Sequence, residues 1–368
     1  MHLVSVISVL CLVMADPTMS QPYYGNIAGD QSRTLVLMVA TTPYDLYYGK
    51  YYEDIKKFQI AWAKKISEAG DNVLVLAAPL VARDYRKELA HDQVLVDRQY
   101  DIWIRDFGFV RMNNPTMFVY GNQYLSNFEA GRTQRRFKRT TDRRCGRGSY
   151  ALADTIMDGG NIVDNFVDTA ILTRRSLTDN HMNETQLRSK LEVQLGYDYI
   201  AMIPDPGDTT GHADGVVSFI DTHQLAISGN NRDYPDFWNA TLKDLQTQLP
   251  LLADSAVILD SIWKEQTFDG FDSACGLHIN ALLTGKNLFV PVFGKDPENQ
   301  KYGQSTELDK KVLAEIVAKT TKNVVPIDTP NVVCRMGGSV RCLSNAIIGP
   351  VADCLIQAAQ AEANNLGK

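Results

Sequence analysis

Apolar residues recur along this chain in short blocks whose spacing alternates between that of strands and that of helices. The apolar, β-branched run Thr34–Val39 predicts a buried strand, and Asp54–Ala69 then carries apolar residues at helical spacing up to Gly70. The run Asn72–Ala77 returns to the strand pattern. This part of the chain is therefore predicted to form a strand, a helix and a second strand.

The same alternation continues along the rest of the chain. Further strands are predicted at Ile102–Arg111, Met117–Tyr120, Thr169–Thr173, Val216–Ile220, Gln224–Ser228, Val257–Ile262 and Asn287–Val292. Further helices are predicted at Glu184–Leu195, Pro235–Gln248 and Glu307–Lys319. Because pairs of short strands alternate with single helices and no linker rich in Pro, Gly or Ser divides them, we expect one α/β domain.

One segment departs from the acidic character of the chain. The stretch Arg132–Arg147 is rich in arginine and lysine and contains a single acid, Asp142. The pattern predicts an exposed loop. A solvated charged loop is the simpler interpretation, and a clamp for a carboxylate or another anionic part of a substrate is the alternative.

Composition limits the classes of function. Of the 368 residues, 45% are hydrophobic, which is ample for a full core. The net charge of −6 and the sequence pI of about 5.6 argue against a general nucleic-acid-binding protein, which would carry a basic surface. A cationic substrate suits this charge better than a polyanionic one.

The N-terminal residues have the features of an export signal. Leu3–Met14 is an apolar stretch too short to span a bilayer, and Ala15 follows it. We predict a signal peptide at residues 1–15 and a mature domain at residues 16–368, secreted and not attached to a membrane. A buried first strand is the alternative. Acceptor sequons at Asn183 and Asn239 fit a secreted chain.

The cysteines add information about the compartment. Removal of Cys11 with the signal leaves an odd number, namely Cys145, Cys275, Cys334, Cys342 and Cys354. Two disulfides and one free thiol would account for them in an oxidising compartment. Several reduced, buried cysteines in a cytosolic protein are the alternative.

Two acidic motifs could bind a cation. In Asp101–Gly108, Trp103 and Asp106 could line one pocket, because a carboxylate accepts paired N–H bonds from a planar guanidinium and an indole face attracts the same cation. A structural ion pair between Arg105 and Asp106 is the alternative. In Asp158–Asn161 an acid precedes two glycines, which permit close approach of a ligand or form a plain turn.

A third motif offers an acid/base pair. His212 and Asp214 are two residues apart, so that in an extended chain they project to the same side. This places a general acid/base beside a carboxylate. No metal site is predicted, because the other histidines form no ligand spacing with this pair, and Cys275-x-x-His278 is half of a metal motif without a second pair.

The fourth motif is the glycine turn Met336–Cys342, which ends in a cysteine. Arg341 precedes the thiol and would favour the thiolate over an ordinary pKa of about 8.5. A structural cysteine is the alternative. On these local grounds, Cys342 is one candidate nucleophile among the mature chain's cysteines.

Taken in order, these motifs form a set. They are W-x-R-D ending at Asp106, D-G-G-N from Asp158, G-H-x-D ending at Asp214, I-N-x-L around Asn280 with V-P-V around Pro291, and G-G-x-x-x-C ending at Cys342. The set resembles the agmatine deiminase and Porphyromonas-type peptidylarginine deiminase family of the guanidine-modifying superfamily. The resemblance spans roughly Leu35 to Ile356. It implies a single-domain, five-bladed, pseudo-symmetric α/β propeller with the active site in its central channel.

The resemblance also implies roles for individual residues. Cys342 takes the position of the nucleophile, His212 that of the general acid/base, and Asp106 and Asp214 those that grip the guanidinium. The implied substrate-binding residues are Trp103, Asp158, Asn280, Arg135 and Arg136. In the implied reaction the thiolate attacks the guanidinium carbon, ammonia leaves, and water hydrolyses the covalent amidino-thioether to a ureido product. No cofactor and no metal are implied.

Two residues depart from the family pattern. Arg341 stands where histidine usually precedes the nucleophile, and Phe109 replaces the proline that often follows R-D-x-G in agmatine deiminases. These two departures, together with the basic segment and the predicted secretion, favour arginine within a peptide or protein as the substrate. The product would then be citrulline.

Four other functions remain as alternatives. Three keep the fold: an agmatine deiminase giving N-carbamoylputrescine, an amidinotransferase, and a secreted binding protein without activity. A cysteine protease is disfavoured, because carboxylates around a thiol suit a cationic carbon better than a peptide carbonyl.

Overall fold

The computed structural model describes residues 34–121, 126–264, 267–268 and 270–366, so the predicted signal peptide lies outside the described residues. Its strands are β1 Leu35–Val39, β2 Asn72–Ala77, β3 Val94–Val96, β4 Thr116–Val119, β5 Ala151–Ile156, β6 Val163–Asp164, β7 Thr169–Thr173, β8 Tyr199–Ile203, β9 Val217–Asp221, β10 Gln224–Ser228, β11 Val257–Leu259, β12 Thr267–Phe268, β13 Phe271–Asp272, β14 Leu282–Leu283, β15 Asn287–Val292, β16 Asn323–Asp328 and β17 Asn345–Ile347. Its helices are α1 Tyr52–Glu68, α2 Pro79–Arg86, α3 Ile104–Phe107, α4 Asn127–Cys145, α5 Arg175–Asn180, α6 Glu184–Leu195, α7 Pro235–Gln248, α8 Pro250–Ser255, α9 Pro297–Gln300, α10 Thr306–Val317, α11 Asn331–Cys334 and α12 Pro350–Leu366.

One arrangement of three strands recurs along the chain. The first strand is antiparallel to the second, and the second is parallel to the third, in β6–β7–β8, β9–β10–β11 and β14–β15–β16. Helices connect the second strand to the third in each case, because parallel neighbours cannot be joined by a tight turn. The alternation of strand pairs and helices in the sequence reflects this repeated unit.

In two further sheets an antiparallel pairing is likewise followed by a parallel one. Strands β4 and β5 are parallel, with α4 between them, and Val110 forms an antiparallel bridge with Thr116. In the other sheet β17 is antiparallel to β1, β1 is parallel to β2, and β3 adds a parallel edge. The pairing of Leu35 with Ile347 therefore joins the two ends of the described fold in one sheet. Strands β12 and β13 form a separate hairpin.

Each sheet is covered by helices whose apolar faces are buried. In α1, Ile55, Phe58, Trp62 and Ile66 recur at helical spacing and are buried, while β1 is buried along its whole length. The buried apolar residues form several clusters between sheets and helices. The mixed α/β fold predicted from the sequence is confirmed. No helix among the described residues is long and apolar enough to cross a membrane.

Two disulfides connect distant parts of the chain. Cys145 at the end of α4 is bonded to Cys354 in α12, and Cys275 is bonded to Cys334 at the end of α11. Cys342 is the free thiol among the described residues, and it is buried. This arrangement agrees with the predicted two disulfides and one free thiol.

The predicted basic loop is wrong, because most of Arg132–Arg147 lies in α4. Ser126 caps this helix, since its hydroxyl accepts a hydrogen bond from the backbone N–H of Glu129. The buried face consists of Ala130, Thr133, Phe137, Thr140 and Thr141. Three threonines on that face concealed the apolar spacing by which an amphipathic helix is recognised.

The strand predicted at Ile102–Arg111 is also wrong. The segment makes one turn of helix, α3, and its alternation of charged and apolar residues does not place the charges in solvent. Arg105 is buried together with Ile104 and Phe107. Asp106 faces His212 instead of forming the ion pair with Arg105 that the sequence offered as an alternative.

Candidate active site

Polar segments lie directly ahead of the first strand or bridge of each sheet other than the β12–β13 hairpin. These segments are Asp106 ahead of Val110, Asp158–Asn161 ahead of β6, His212–Asp214 ahead of β9, Asn280 ahead of β14, and Cys342 ahead of β17. Since the sheets repeat the same strand directions, the segments occupy equivalent places in the fold. The contacts described below bring them together.

Main-chain hydrogen bonds link neighbouring segments. The N–H of Arg105 donates to the carbonyl of Cys342 at 3.2 Å, and the N–H of Arg341 donates to the carbonyl of Asn280 at 3.3 Å. The backbone thus holds three of the sequence motifs against one another independently of their side chains.

The Cys342 thiol is buried beside polar side chains. Its Sγ lies 3.3 Å from Asn280 Nδ2 and 4.0 Å from Asp214 Oδ2. Asn280 Oδ1 is also 3.4 Å from the sulfur, and it accepts a hydrogen bond from Ser339 Oγ at 2.8 Å, which fixes the amide against the thiol. Burial raises the pKa of Cys342 well above its ordinary value, and the charges of Asp214 and Asp106 raise it further.

Arg341, which the sequence led us to expect beside the thiol of Cys342, forms its ion pair with Asp214. Its Nη1 donates to Asp214 Oδ2 at 2.9 Å and its Nη2 donates to the carbonyl of Ile162 at 2.6 Å. Asp214 is thus already paired with a guanidinium of the protein itself.

His212 lies between two carboxylates. Its Nε2 is 3.3 Å from Asp158 Oδ2, and its Nδ1 is 3.9 Å from Asp106 Oδ1. Burial lowers the pKa of His212, but the charge of Asp106 and the hydrogen bond to Asp158 outweigh burial, so that the pKa is raised. The fold therefore favours the protonated imidazolium, which can donate a proton to a leaving group.

The predicted extended geometry of the third motif is wrong. Residues Ala213–Gly215 form a single 3-10 turn, so His212 and Asp214 do not project side by side. His212 contacts Asp158, whereas Asp214 contacts Arg341. The turn distributes the two side chains between two different groups of partners.

Two carboxylate oxygens in the site have no hydrogen-bond donor. Asp106 Oδ1 and Asp158 Oδ1 are buried and accept no hydrogen bond from any described residue. Burial raises the pKa of both carboxyls, and for Asp106 the charges of Asp158 and Asp214 add to the effect. Buried acceptors without donors are costly, so this part of the site suits a cation that carries several N–H groups.

The glycines of the second motif are required by close packing. A Cβ at Gly159 would lie 2.0 Å from the carbonyl oxygen of Arg105, and a Cβ at Gly160 would lie 2.3 Å from His212 Nδ1. Neither glycine has a positive φ, so conformational freedom is not the reason for their presence. The motif is more than a plain turn, because it brings the backbone against the His212 imidazole.

Trp103 packs against the loop that carries Cys342. A Cβ at Gly338 would be 2.5 Å from the Cζ3 atom of Trp103 and 2.9 Å from the Cβ of Cys342. The indole N–H donates to the hydroxyl of Tyr48 at 2.7 Å. Tyr48 therefore holds Trp103 against the loop that carries Cys342, and the predicted role of Trp103 in binding substrate stays a prediction.

A cavity of about 370 Å³ leads to Cys342. Its inner part is lined by His212, Asp214, Asn280 and Cys342, and its outer part by Asp208, Tyr234, Phe237, Trp263 and Asp272 among others. No described residue that lines it is lysine or arginine. Trp103, Asp106 and Asp158 are not among its lining residues, although Asp106 and Asp158 contact His212. In the described ranges no group of three or more His, Cys, Asp or Glu side chains is placed to hold a metal ion.

The outer part of the cavity was not found from the sequence. Tyr234 begins a helix, Trp263 lies in an irregular segment and Asp272 lies in a hairpin, so these residues share no motif. Only their positions in the folded chain bring them to one cavity.

Two predicted substrate-binding residues lie apart from this cavity. Arg135 is exposed on α4, and Arg136 donates to Asp97 Oδ1 at 2.6 Å and to the carbonyl of Arg98 at 2.6 Å. Neither arginine lines the cavity. Their predicted role in binding a carboxylate stays a prediction, and the geometry adds no support to it.

Known proteins share this fold. A C. jejuni agmatine deiminase structure matches with a TM-score of 0.65 at 19% identity, covering 86% of this chain and 93% of that chain. A Porphyromonas gingivalis structure, provisionally named an arginine deiminase, matches with a TM-score of 0.65 at 16% identity, covering 85% and 94%. At these identities the similarity shows the fold.

Sequence comparison supplies the family. A Lactococcus lactis protein provisionally named an agmatine deiminase is 22% identical over 224 residues, so the chain spans 58% of the length of this curated relative and the match covers 53% of the chain. The model for Porphyromonas-type peptidyl-arginine deiminases matches residues 30–347. This protein therefore belongs to the Porphyromonas-type peptidyl-arginine deiminase family, a group of hydrolases that act on the C–N bonds of amidines.

Proposed function

We propose that this protein hydrolyses a guanidinium group to a ureido group and ammonia, with Cys342 as the covalent nucleophile. The observation that carries the proposal is the position of the free Cys342 thiol, which lies in the cavity with His212 and Asp214. Asp106 and Asp158, each of which has one unpartnered buried oxygen, contact the two ring nitrogens of His212. A thiol, a protonated imidazole and carboxylates are the groups that this reaction requires.

The reaction proceeds in two halves. The carboxylates hold the guanidinium, the Cys342 thiolate forms a bond to its central carbon, and His212 gives its proton to the nitrogen that leaves as ammonia. The product of this half is an amidino-thioether. Water then adds to the same carbon while His212 takes one of its protons. The C–S bond breaks to release the thiolate, and the remaining hydroxyl proton passes to solvent or to the released ammonia, which leaves the ureido product.

The substrate itself contributes to activation of the thiol. In the unliganded site, burial and the charges of Asp214 and Asp106 keep the pKa of Cys342 high. A guanidinium bound between these groups and the sulfur places a positive charge where it offsets both carboxylates. The thiolate therefore forms mainly when substrate is bound, which protects the free thiol from other reagents.

The cavity favours a substrate without a free carboxylate. Asp208 and Asp272 line its outer part and no described lysine or arginine does, so a carboxylate at the far end of the substrate would be repelled. Agmatine, which ends in an amine, suits this charge, and the structural relatives include agmatine deiminases. Arginine within a peptide, our expectation from the sequence, also lacks a free carboxylate and is the second candidate. Free arginine is the poorest of the three.

The finer architecture and the location of the protein are proposals as well. The five repeated sheet units and the pairing of β17 with β1 support a five-bladed α/β propeller around the site. Exposure of Asn183 and Asn239 and the presence of two disulfides support glycosylation and secretion.

The test is to incubate purified protein with agmatine, free arginine and peptides with internal or C-terminal arginine, measuring ureido product and ammonia. We expect turnover of agmatine or internal arginine, with none for Cys342→Ser. If the substrate passes its amidino group to an added amine and no ammonia is released, the protein is an amidinotransferase. Binding of these compounds by calorimetry without turnover would contradict the proposal and indicate a binding protein.

A further inference from the structure

A buried guanidinium of the protein occupies Asp214. Arg341 Nη1 donates to Asp214 Oδ2 at 2.9 Å, and both side chains are at least nine-tenths buried. Arg341 Nη2 donates to the carbonyl of Ile162 at 2.6 Å, so the guanidinium is fixed at two points. Arg341 is therefore built into the site and cannot be described as a solvated neighbour of the nucleophile.

The same carboxylate oxygen faces the nucleophile. Asp214 Oδ2, which accepts from Arg341, is also the atom 4.0 Å from Cys342 Sγ. A negative charge at this distance opposes formation of a thiolate, since two like charges would be buried together. Pairing with Arg341 neutralises the opposing charge at the atom where it acts on the sulfur.

The other charges around Cys342 do not replace this pairing. On α3, the charge of Asp106 disfavours the thiolate and that of Arg105 favours it, and Arg105 also interacts electrostatically with Asp214. The imidazole of His212 pairs with Asp158 and Asp106. The remaining close neighbour, Asn280, is neutral. Among the described residues, Arg341 is the one cation that forms an ion pair with Asp214.

We propose that Arg341 is a positioning residue that neutralises Asp214 at the oxygen facing Cys342, so that the thiolate can form. The arrangement has a cost for binding, because an Asp214 oxygen that already accepts from Arg341 grips the substrate guanidinium less strongly. Arg341 thus leaves more of the substrate's guanidinium to be bound by Asp106. It makes the Cys342 thiol more nucleophilic and weakens the binding of the substrate.

The first test does not depend on any substrate. The rate at which iodoacetamide alkylates Cys342, located by peptide mass spectrometry, is measured against pH for the wild type, Arg341→Met and Arg341→Lys. We expect the midpoint of the pH profile for Arg341→Met to rise by about one to three units, as for a group beside an unpaired like charge. Arg341→Lys, which keeps the charge, should stay close to the wild type.

Variants of Asp214 complete the test. Asp214→Asn leaves Arg341 unpaired beside the sulfur and should lower the midpoint, while the double variant Arg341→Met with Asp214→Asn should return it towards the wild type. These variants also serve if Arg341→Met fails to fold. An unchanged midpoint in folded Arg341→Met, or an unchanged midpoint in Asp214→Asn, would overturn the proposal.

The second test rests on the proposed function. With a substrate that is turned over, Arg341→Met should lower kcat at pH 7 without raising KM, and the loss should diminish at higher pH. A purely structural role would instead lower kcat at every pH and leave the alkylation profile in place. If the wild type turns over no substrate, the proposed function fails, whereas the alkylation profiles still decide the role of Arg341.

Discussion

His212 Nε2 lies 3.3 Å from Asp158 Oδ2, and both side chains are buried. Because burial alone would lower the pKa of the imidazole, the raised pKa depends on the carboxylates around it. The relationship connects the D-G-G-N motif to the acid/base chemistry: Asp158 keeps His212 protonated, and Gly160 gives the imidazole room beside it.

The first prediction concerns pH. The raised folded pKa of His212 means that its protonation stabilises the fold fully below its ordinary pKa of about 6.5, and that this stabilisation is lost as pH rises through the folded value. In Asp158→Asn the folded pKa should fall, so the basic limb of the kcat profile should move to lower pH. NMR titration of His212 in the inactive Cys342→Ser background provides the check. An unchanged titration would show that Asp106 alone sustains the proton.

A second prediction concerns Gly160. Gly160→Ala places a Cβ 2.3 Å from His212 Nδ1, and the required shift should destabilise the fold by about 1–3 kcal/mol and abolish most activity. Gly215→Ala is the matched control, because its Cβ would meet only Leu277 Cδ1 at 3.8 Å, an ordinary contact. Thermal denaturation and kcat should separate the two variants. If the two variants have the same thermal stability and the same kcat, the imidazole can move without loss of stability or activity.

Asp106 provides the third prediction. Its Oδ1 is buried without a donor, so we expect it to accept an N–H from the substrate. Asp106→Asn should lower kcat/KM by about ten- to a hundredfold, the range expected for loss of a hydrogen bond to a charged group. Asp154→Asn, at an exposed acid on β5, is the control and should leave kcat/KM unchanged.

The fourth prediction separates the two disulfides. Replacing Cys275 and Cys334 by serine should lower stability by about 2–5 kcal/mol and also reduce the rate of Cys342 alkylation, because this bond joins the segments that lead to Asn280 and Cys342. Replacing Cys145 and Cys354 should lower stability without changing the alkylation rate, since that bond joins α4 to α12. Identical alkylation in both variants would contradict a positioning role for the first bond.

Where the buried face of an element is mostly apolar, the sequence pattern predicted the element well. The strands at Thr169–Thr173, Gln224–Ser228 and Asn287–Val292 and the helices at Glu184–Leu195 and Pro235–Gln248 were predicted with the bounds that the structure has. The pattern failed where burial is shared with polar groups. In α4 threonines occupy the buried face, and in Ile102–Arg111 buried charges imitate the alternation of a strand.

The sequence by itself determined which residues we propose to carry the chemistry, because a thiol, an imidazole and carboxylates beside glycines are recognisable as local motifs. Only the tertiary structure decided how they are paired. Arg341 is adjacent to Cys342 in sequence yet binds Asp214, and Asp158 reaches His212 across 54 positions. Local spacing does not encode the direction of a side chain or the pairing of distant strands. These two features determine which charged side chains form pairs, and the pairs determine the protonation of the site.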